Sequence, residues 1–195
     1  MTFNKDLGIP ISPLRPDIRL IPTTLWGISL AGLCTGSCWG AIRADALRSG
    51  ARCMYADNPD RRTHHFGSIH LHERWRYKEG TASLEALWPV CGNCHDMMHP
   101  GRMLAVHGQV GLQRAVVRYA QVFGIKEEMA WKEAQRALAE HTRNSRVDRW
   151  TVDLSLVEPR FPLKPKKSAR AILACHEWVG HPFGAAHDLS KSITG

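Results

Sequence analysis

Apolar positions along this chain change period from one stretch to the next, and the changes outline its elements. Over residues 68–75, Ile69, Leu71 and Trp75 alternate with His70, His72 and Arg74, the period of two that puts successive side chains on opposite faces of a strand. Residues 78–83 read as a loop, and Leu84, Leu87, Trp88 and Val90 form a second apolar run, a short strand or turn, with a helix from about Cys94. Between Gly108 and Phe123 the period becomes helical, with Leu112, Ala115, Val116, Tyr119 and Val122 on one face and Gly124 as a stop. A second helix over 126–142 turns Met129, Ala130, Ala134, Ala137 and Leu138 inward, making a helical hairpin. Trp150, Val152, Leu154 and Leu156 alternate with Thr151, Asp153 and Ser155, which predicts a closing strand over 150–156.

The flanks are simpler. Pro10, Pro13, Pro16 and Pro22 make residues 1–23 an extended arm. The compact part begins at Thr24, where Trp26 and Leu30 have the spacing of one helical face. Trp39, Ile42 and Ala46 predict a helix over 39–49, stopped by Gly50. After Glu158 the stretch PRFPLKPKKSAR reads as a Pro-rich basic linker, and the histidines His176 and His181 fall in a solvated tail.

A chain of 195 residues with 44% hydrophobic content suits one domain with appendages. The formal charge of +8 favours a polyanionic partner, with nucleic acid ahead of an acidic membrane surface. No window approaches the roughly 18 to 20 apolar residues of a membrane span, and the first residues lack the charged start and apolar run of a signal peptide. A cytoplasmic setting is expected, in which the six cysteines stay reduced and serve as metal ligands or core.

Candidate chemistry concentrates in residues 64–101. His72 and Glu73 follow one another near the first strand, and Cys91, Cys94, His95 and His99 arrive together at a helix start. Thiolate and imidazole donors at these spacings suit a divalent cation. Cys91 and Cys94 can bind one zinc with Cys53 as a distant third thiolate; Ala56 stands where a second Cys would complete Cys53's own knuckle. Asp57, His64, His65 or water are the candidates for a fourth ligand. His95 and His99, four residues apart, can share a second ion from one helix face. Cys34 and Cys38 read as reduced core or surface cysteines, and Trp75, Tyr77 and Trp88 as core rather than stacking platforms.

C-x2-C-H-x3-H-x-G over 91–101, preceded by HE-x-W-x-Y over 72–77 and the lone Cys53, resembles the bacterial and phage HNH endonucleases of the ββα-metal, or His-Me finger, group. TTLWG near 24, the Trp39 helix and WTVDLSLVE over 150–158 fall in the order one subgroup shows, so the resemblance covers about 24–158. It implies an α+β fold in which a ββα-metal finger is embedded in a mainly helical small domain. The metal core would span 53–101, the helical hairpin 108–142, and a basic linker and tail 159–195. It further implies a phosphodiester hydrolase acting on double-stranded DNA, in a setting such as a phage or mobile element. His72 would be the general base, His95 and His99 the ligands of one Mg²⁺, Mn²⁺, Ni²⁺ or Zn²⁺ ion, and Cys53, Cys91 and Cys94 three of the four structural zinc ligands. Glu73 would orient an imidazole or bind the ion, and Arg74, Arg76 and Lys78 would hold flanking phosphates. Many such enzymes carry Asp or Glu immediately before the base, where this chain has Leu71. The alternative is a zinc-stabilised DNA-binding protein of the same descent without turnover.

Overall fold

The computed structural model describes residues 18–48, 51–56, 67–161 and 163–179. Its organising element is a long antiparallel hairpin, β1 (Ile69–Lys78) and β2 (Thr81–Cys91). The alternation read from 68–75 holds, but the stretch 78–83 is not a loop. Glu79 and Gly80 make a two-residue turn with φ of 50° and 76°, the mirror-image geometry whose twist matches that of the strands it joins. The strands therefore run on through the residues assigned to the loop. Arg74 pairs with Ala86 and Trp75 with Leu84, so Glu85 is an extra residue in β2, a bulge that bends the strand locally.

Helix α3 (Gly92–Met98) starts directly where β2 ends. Helix α4 (Pro100–Phe123) follows, and Gly124 in the left-handed conformation caps it before α5 (Glu127–Asn144). Strand β3 (Thr151–Asp153) adds to β2 in parallel, with Thr81 opposite Thr151. Ahead of the hairpin lie a 3-10 turn at Thr23–Leu25, a short helix α1 (Leu30–Leu33) and α2 (Gly36–Leu47). The protein is thus of mixed α+β class. No helix among the described residues is long and apolar enough to cross a membrane.

Both faces of the hairpin are covered. Leu71, Trp75, Leu84 and Leu87 pack with Leu30, Leu33, Ile42, Trp150 and Leu154 on one side. Ala86, Trp88 and Val90 pack with Met97, Val116, Tyr119, Ala130 and Ala137 on the other. That double burial explains the unbroken apolar run of β2. Trp75 and Trp88 are core residues, as expected.

Several expectations need correction. The closing strand spans only Thr151–Asp153, because the chain turns at once, with Val157 N–H donating to Leu154 O. The basic linker is not detached: Leu163, Ala169 and Leu173 enter the first core, and α6 (Arg170–Cys175) leads to β4 (Glu177–Val179), which pairs with β3. Apolar residues interleaved with its lysines let it pack while Lys164 and Lys167 stay exposed, and Lys166 Nζ donates to Ala31 O at 2.5 Å. His176 is buried there and accepts from Trp150 N–H at 3.4 Å, whereas His181 lies outside the described residues. Ile18, at the end of the arm, is buried in the second core; the arm before it also lies outside the described residues. Trp26 is 68% exposed while Leu25 takes the buried place. Met129 and Leu138 face outward, leaving the small Ala130 and Ala137 as the fully buried positions of α5.

Helix α4 is two helical pieces joined at Gly108, where φ is 63° and ψ −157°, a region essentially restricted to glycine. The pieces approach so closely that a Cβ on Gly111 would lie 2.4 Å from Met103 O. Because the obstacle is backbone, Gly111→Ala should destabilise the protein by about 1–3 kcal/mol, measured as a lowered urea midpoint with an unchanged m-value. An unchanged midpoint would show that the bend yields freely.

Candidate metal centre

Strand alternation and the abrupt start of α3 together build the site. His70 and His72 leave β1 on the face that α3 covers, and His95 projects from α3 toward them. His99 does not belong to the body of α3; it is the hinge residue between α3 and α4, with φ −119° and ψ 55°. Its ring nevertheless converges with the others. Ring nitrogens of His72, His95 and His99 all lie within 4.8 Å of one another, and His72 Nδ1 is 3.1 Å from His99 Nε2. Ring centroids are 4.7 Å apart for His95–His99 and 5.6 Å for His72–His95. The three rings share the wall of a cavity of about 250 Å³ with Arg74, Trp88 and Met98.

Burial keeps these imidazoles neutral. It holds His72 well below its ordinary range, helped by the neighbouring His99, His95 and Arg74. Burial, with His95 and Arg102 beside it, brings His99 down to about 3. His95 is also lowered, by burial and then by His70 and Arg102. Neutral imidazole is the form that binds a cation, and a 3.1 Å separation of two ring nitrogens suits two ligands of one ion with bonds near 2.0–2.1 Å. The donor set therefore fits a divalent metal.

The second cluster is made of sulfur. Met54 N–H donates to Pro89 O at 2.9 Å, which lays the Cys53 segment against β2 just before Cys91. The sulfurs of Cys53, Cys91 and Cys94 then fall within 4.8 Å of one another, all buried. Hydrogen bonds between the thiols, together with burial, raise Cys94 and Cys53 above the usual thiol range. Three buried thiols fit zinc in the way predicted. The buried Tyr55 hydroxyl beside them has no hydrogen-bond partner among the described residues, and Arg118 Nη2 stands 4.0 Å from Cys94 Sγ, a cation that favours thiolate. Asp57, His64 and His65, the protein's candidates for a fourth ligand, lie outside the described residues. Cys34 and Cys38 are buried in the first core, and no third donor joins them among the described residues. Burial and the adjacent Cys38 push the Cys34 thiol up to about 12, so these two remain core thiols.

Glu73 is the main departure from the expected site. Alternation sends it to the opposite face of β1, where its carboxylate accepts from Leu30 N–H at 2.9 and 3.1 Å and from Trp75 Nε1–H at 3.1 Å. It ties α1 to the hairpin, and its hydrogen bonds orient no imidazole. Arg74 is part-buried, stacked over Trp88 at 5.0 Å and 3.7 Å from Glu85, so it supports the cavity wall. Arg76, paired with Glu85 at 3.1 Å, and Lys78, paired with Glu79 at 3.4 Å, keep exposed cationic ends.

Three further residues stand beside the two clusters, of which Arg102 and Arg118 were not foreseen from sequence. His70 stacks on His95 at 5.2 Å and contacts Ser68 Oγ at 3.1 Å; its place two residues before His72 was the available signal. Arg102, paired with Asp96 at 3.2 Å, stands at the rim of the imidazoles, one turn beyond His99. Arg118 comes from the far part of α4, and no local pattern pointed to it. No family model, no curated protein and no solved structure matches this chain.

Two outcomes follow. Purified protein should carry zinc that Cys94→Ser abolishes and His99→Ala retains, read by elemental analysis; zinc retained by Cys94→Ser would show that the sulfurs hold no metal. Burial also pushes the Glu73 carboxyl up from 4.5 to about 7. The native state keeps a proton that the unfolded chain releases, so stability should fall as pH rises from about 4.5 to about 7. Glu73→Gln should remove about 3 kcal/mol of that fall, measured by urea unfolding at both ends of the window. An identical pH profile in the variant would assign the fall to other groups.

Proposed function

We propose that this protein is a metal-dependent endonuclease of the HNH, or ββα-metal, type that hydrolyses or nicks phosphodiester bonds of double-stranded DNA. The observation that carries the reading is the convergence of imidazoles from a strand and a helix end within 4.8 Å, beside a three-thiol cluster anchored at the same helix start. The hairpin followed directly by α3 supports it, as do the C-x2-C-H-x3-H and HE-x-W-x-Y runs and the net positive charge.

In this reading His95 and His99 hold one Mg²⁺, Mn²⁺, Ni²⁺ or Zn²⁺ ion, and Cys53, Cys91 and Cys94 hold a structural zinc. A bound cation supplies charge stabilisation to the scissile phosphate and the departing 3′-oxygen. His72, kept neutral by burial, accepts the proton of the attacking water. A phosphodiester drawn beside it counteracts the depression of its basicity, because a nearby negative charge favours the imidazolium. Arg76 and Lys78 contact flanking phosphates, which makes binding salt-sensitive and largely indifferent to sequence.

A second reading has a specific observation behind it. His72 is only 7% exposed and turns Nδ1 onto His99, so all three imidazoles can close into one ligand set with none left as base. The protein would then be a zinc-stabilised DNA-binding module without turnover. Plasmid incubated with each ion in turn separates the two. The enzyme reading expects nicking by wild type, reduced at least about a hundredfold in His72→Ala. Equal DNA binding by both proteins with plasmid intact throughout would select the module.

A further inference from the structure

The imidazole cavity has a counterpart at the other end of the hairpin. Between the end of β1 and the last turn of α5 lies a cavity of about 350 Å³, lined by Arg19, Arg76, Lys78, Arg143, Glu140 and Asn144 among others. Four of these side chains are cationic and one is anionic. That one, Glu140, is already held by Arg136 at 2.6 Å. Arg143 has no ion pair and the Asn144 amide no hydrogen bond among the described residues, and both stand on the same edge of the cavity. Among the described residues Lys78 pairs only with Glu79, in a bridge whose partners are 67% and 82% exposed, so solvent already competes for it.

Placement gives this cluster its meaning. Alternation along β1 puts Arg76 and Lys78 on the face of His72, four and six residues further on. At about 3.3 Å per residue they stand roughly 13 and 20 Å from it. Arg74, between them and the imidazoles, is turned down onto Trp88 and Glu85, and Arg19 borders both cavities. Successive nucleotides of one strand advance about 3.4 Å along a duplex axis, so the cavity lies roughly four to six nucleotides from a phosphate held at the imidazoles. Guanidinium groups and a side-chain amide facing one hollow match the oxygens of a phosphodiester.

We infer that the cavity between the end of β1 and the C-terminal turn of α5 is a distal phosphate subsite, in which Arg143, Lys78 and Arg76 hold the backbone of a polynucleotide whose other contact is the imidazole centre. Arg143 and Asn144 come from the helical hairpin, which gives that hairpin a binding role beside its packing role. The inference rests on the reading of the protein as one that engages DNA, and does not require that it cut.

The test is fluorescence anisotropy with a labelled duplex across a salt series, using wild type, Arg143→Ala, Arg143→Lys and the double variant Lys78→Ala/Arg143→Ala. Each lost cation should lower the slope of log K against log salt by about 1, and the double variant by about 2, while Arg143→Lys keeps the wild-type slope. Circular dichroism melts confirm that the variants fold, since all substitutions sit at exposed positions. Unchanged slopes in the folded variants would overturn the subsite. If inorganic phosphate at matched ionic strength bound through Arg143 without weakening the duplex in wild type, the pocket would be one for free phosphate and the polynucleotide assignment would fall. Plasmid nicking assayed in parallel keeps the two ideas apart. Nicking with unaltered slopes sinks the subsite alone, whereas reduced slopes without any nicking sink the enzyme and leave the subsite standing. A wild type that binds no duplex at low salt ends both.

Discussion

The structure depends on the register of one hairpin. β1 and β2 are covered on both faces, so a one-residue slip of either strand would exchange two different sets of side chains and expose apolar surface on each side. With Leu71 opposite Pro89 and His72 opposite Trp88, the first core receives Leu71, Trp75 and Tyr77, while His70 and His72 turn their rings to His95. β2 then passes into α3 without a connecting loop, so the register also decides where Cys91, Cys94 and His95 stand. Two clusters of metal-binding side chains thereby share a single fixed reference.

Helix α3 has only seven residues, far too few to hold its shape alone. Met97 and Met98 bury one side of it, and Cys94 faces the sulfurs of Cys53 and Cys91. A cation bound by those sulfurs would link the helix to β2 and to the Cys53 segment, giving ligand binding a direct share in folding. His95 and His99 would inherit that rigidity. The sulfur cluster matters to the imidazoles mechanically, through the helix between them, whatever chemistry the imidazoles perform.

What could be read from the sequence was what short-range period encodes. Strand alternation separates His70 and His72 from Leu71 and Trp75, and the CxxC spacing sets two sulfurs side by side, with Cys53 joining them from its own segment as expected. The hairpin turn escaped because Glu79 is a poor signal for a left-handed position, and the strand ends beside it are only partly apolar. The tail reads as a linker because proline and lysine dominate its composition, while Leu163, Ala169 and Leu173 bury themselves one at a time without a period. Adjacency to His72 points to Glu73, yet neighbours in a strand face opposite ways. Arg118 and Arg143 became relevant only through packing between elements distant in sequence, which no local pattern carries.

The same alternation bears on Leu71, the position where a carboxylate stands in many enzymes of the type this sequence resembles. Leu71 is 8% exposed and belongs to the first core, on the face away from His95 and His99. A carboxylate there would start from the first core, beside Leu30, Ile42 and Trp75, on the opposite side of the strand from His72. Position 70 is the upstream residue that shares their face, and it holds another imidazole, stacked on His95. Glu73 also lines the cavity, but its carboxylate is taken up by Leu30 N–H and Trp75 Nε1–H, so the donors that meet one another there are imidazole nitrogens. Imidazole donors suit zinc, nickel and other late transition ions, whereas magnesium favours oxygen. With a leucine at 71 the ligand atoms brought together are those of His72, His95 and His99, a set whose chemistry fits a softer ion better than magnesium.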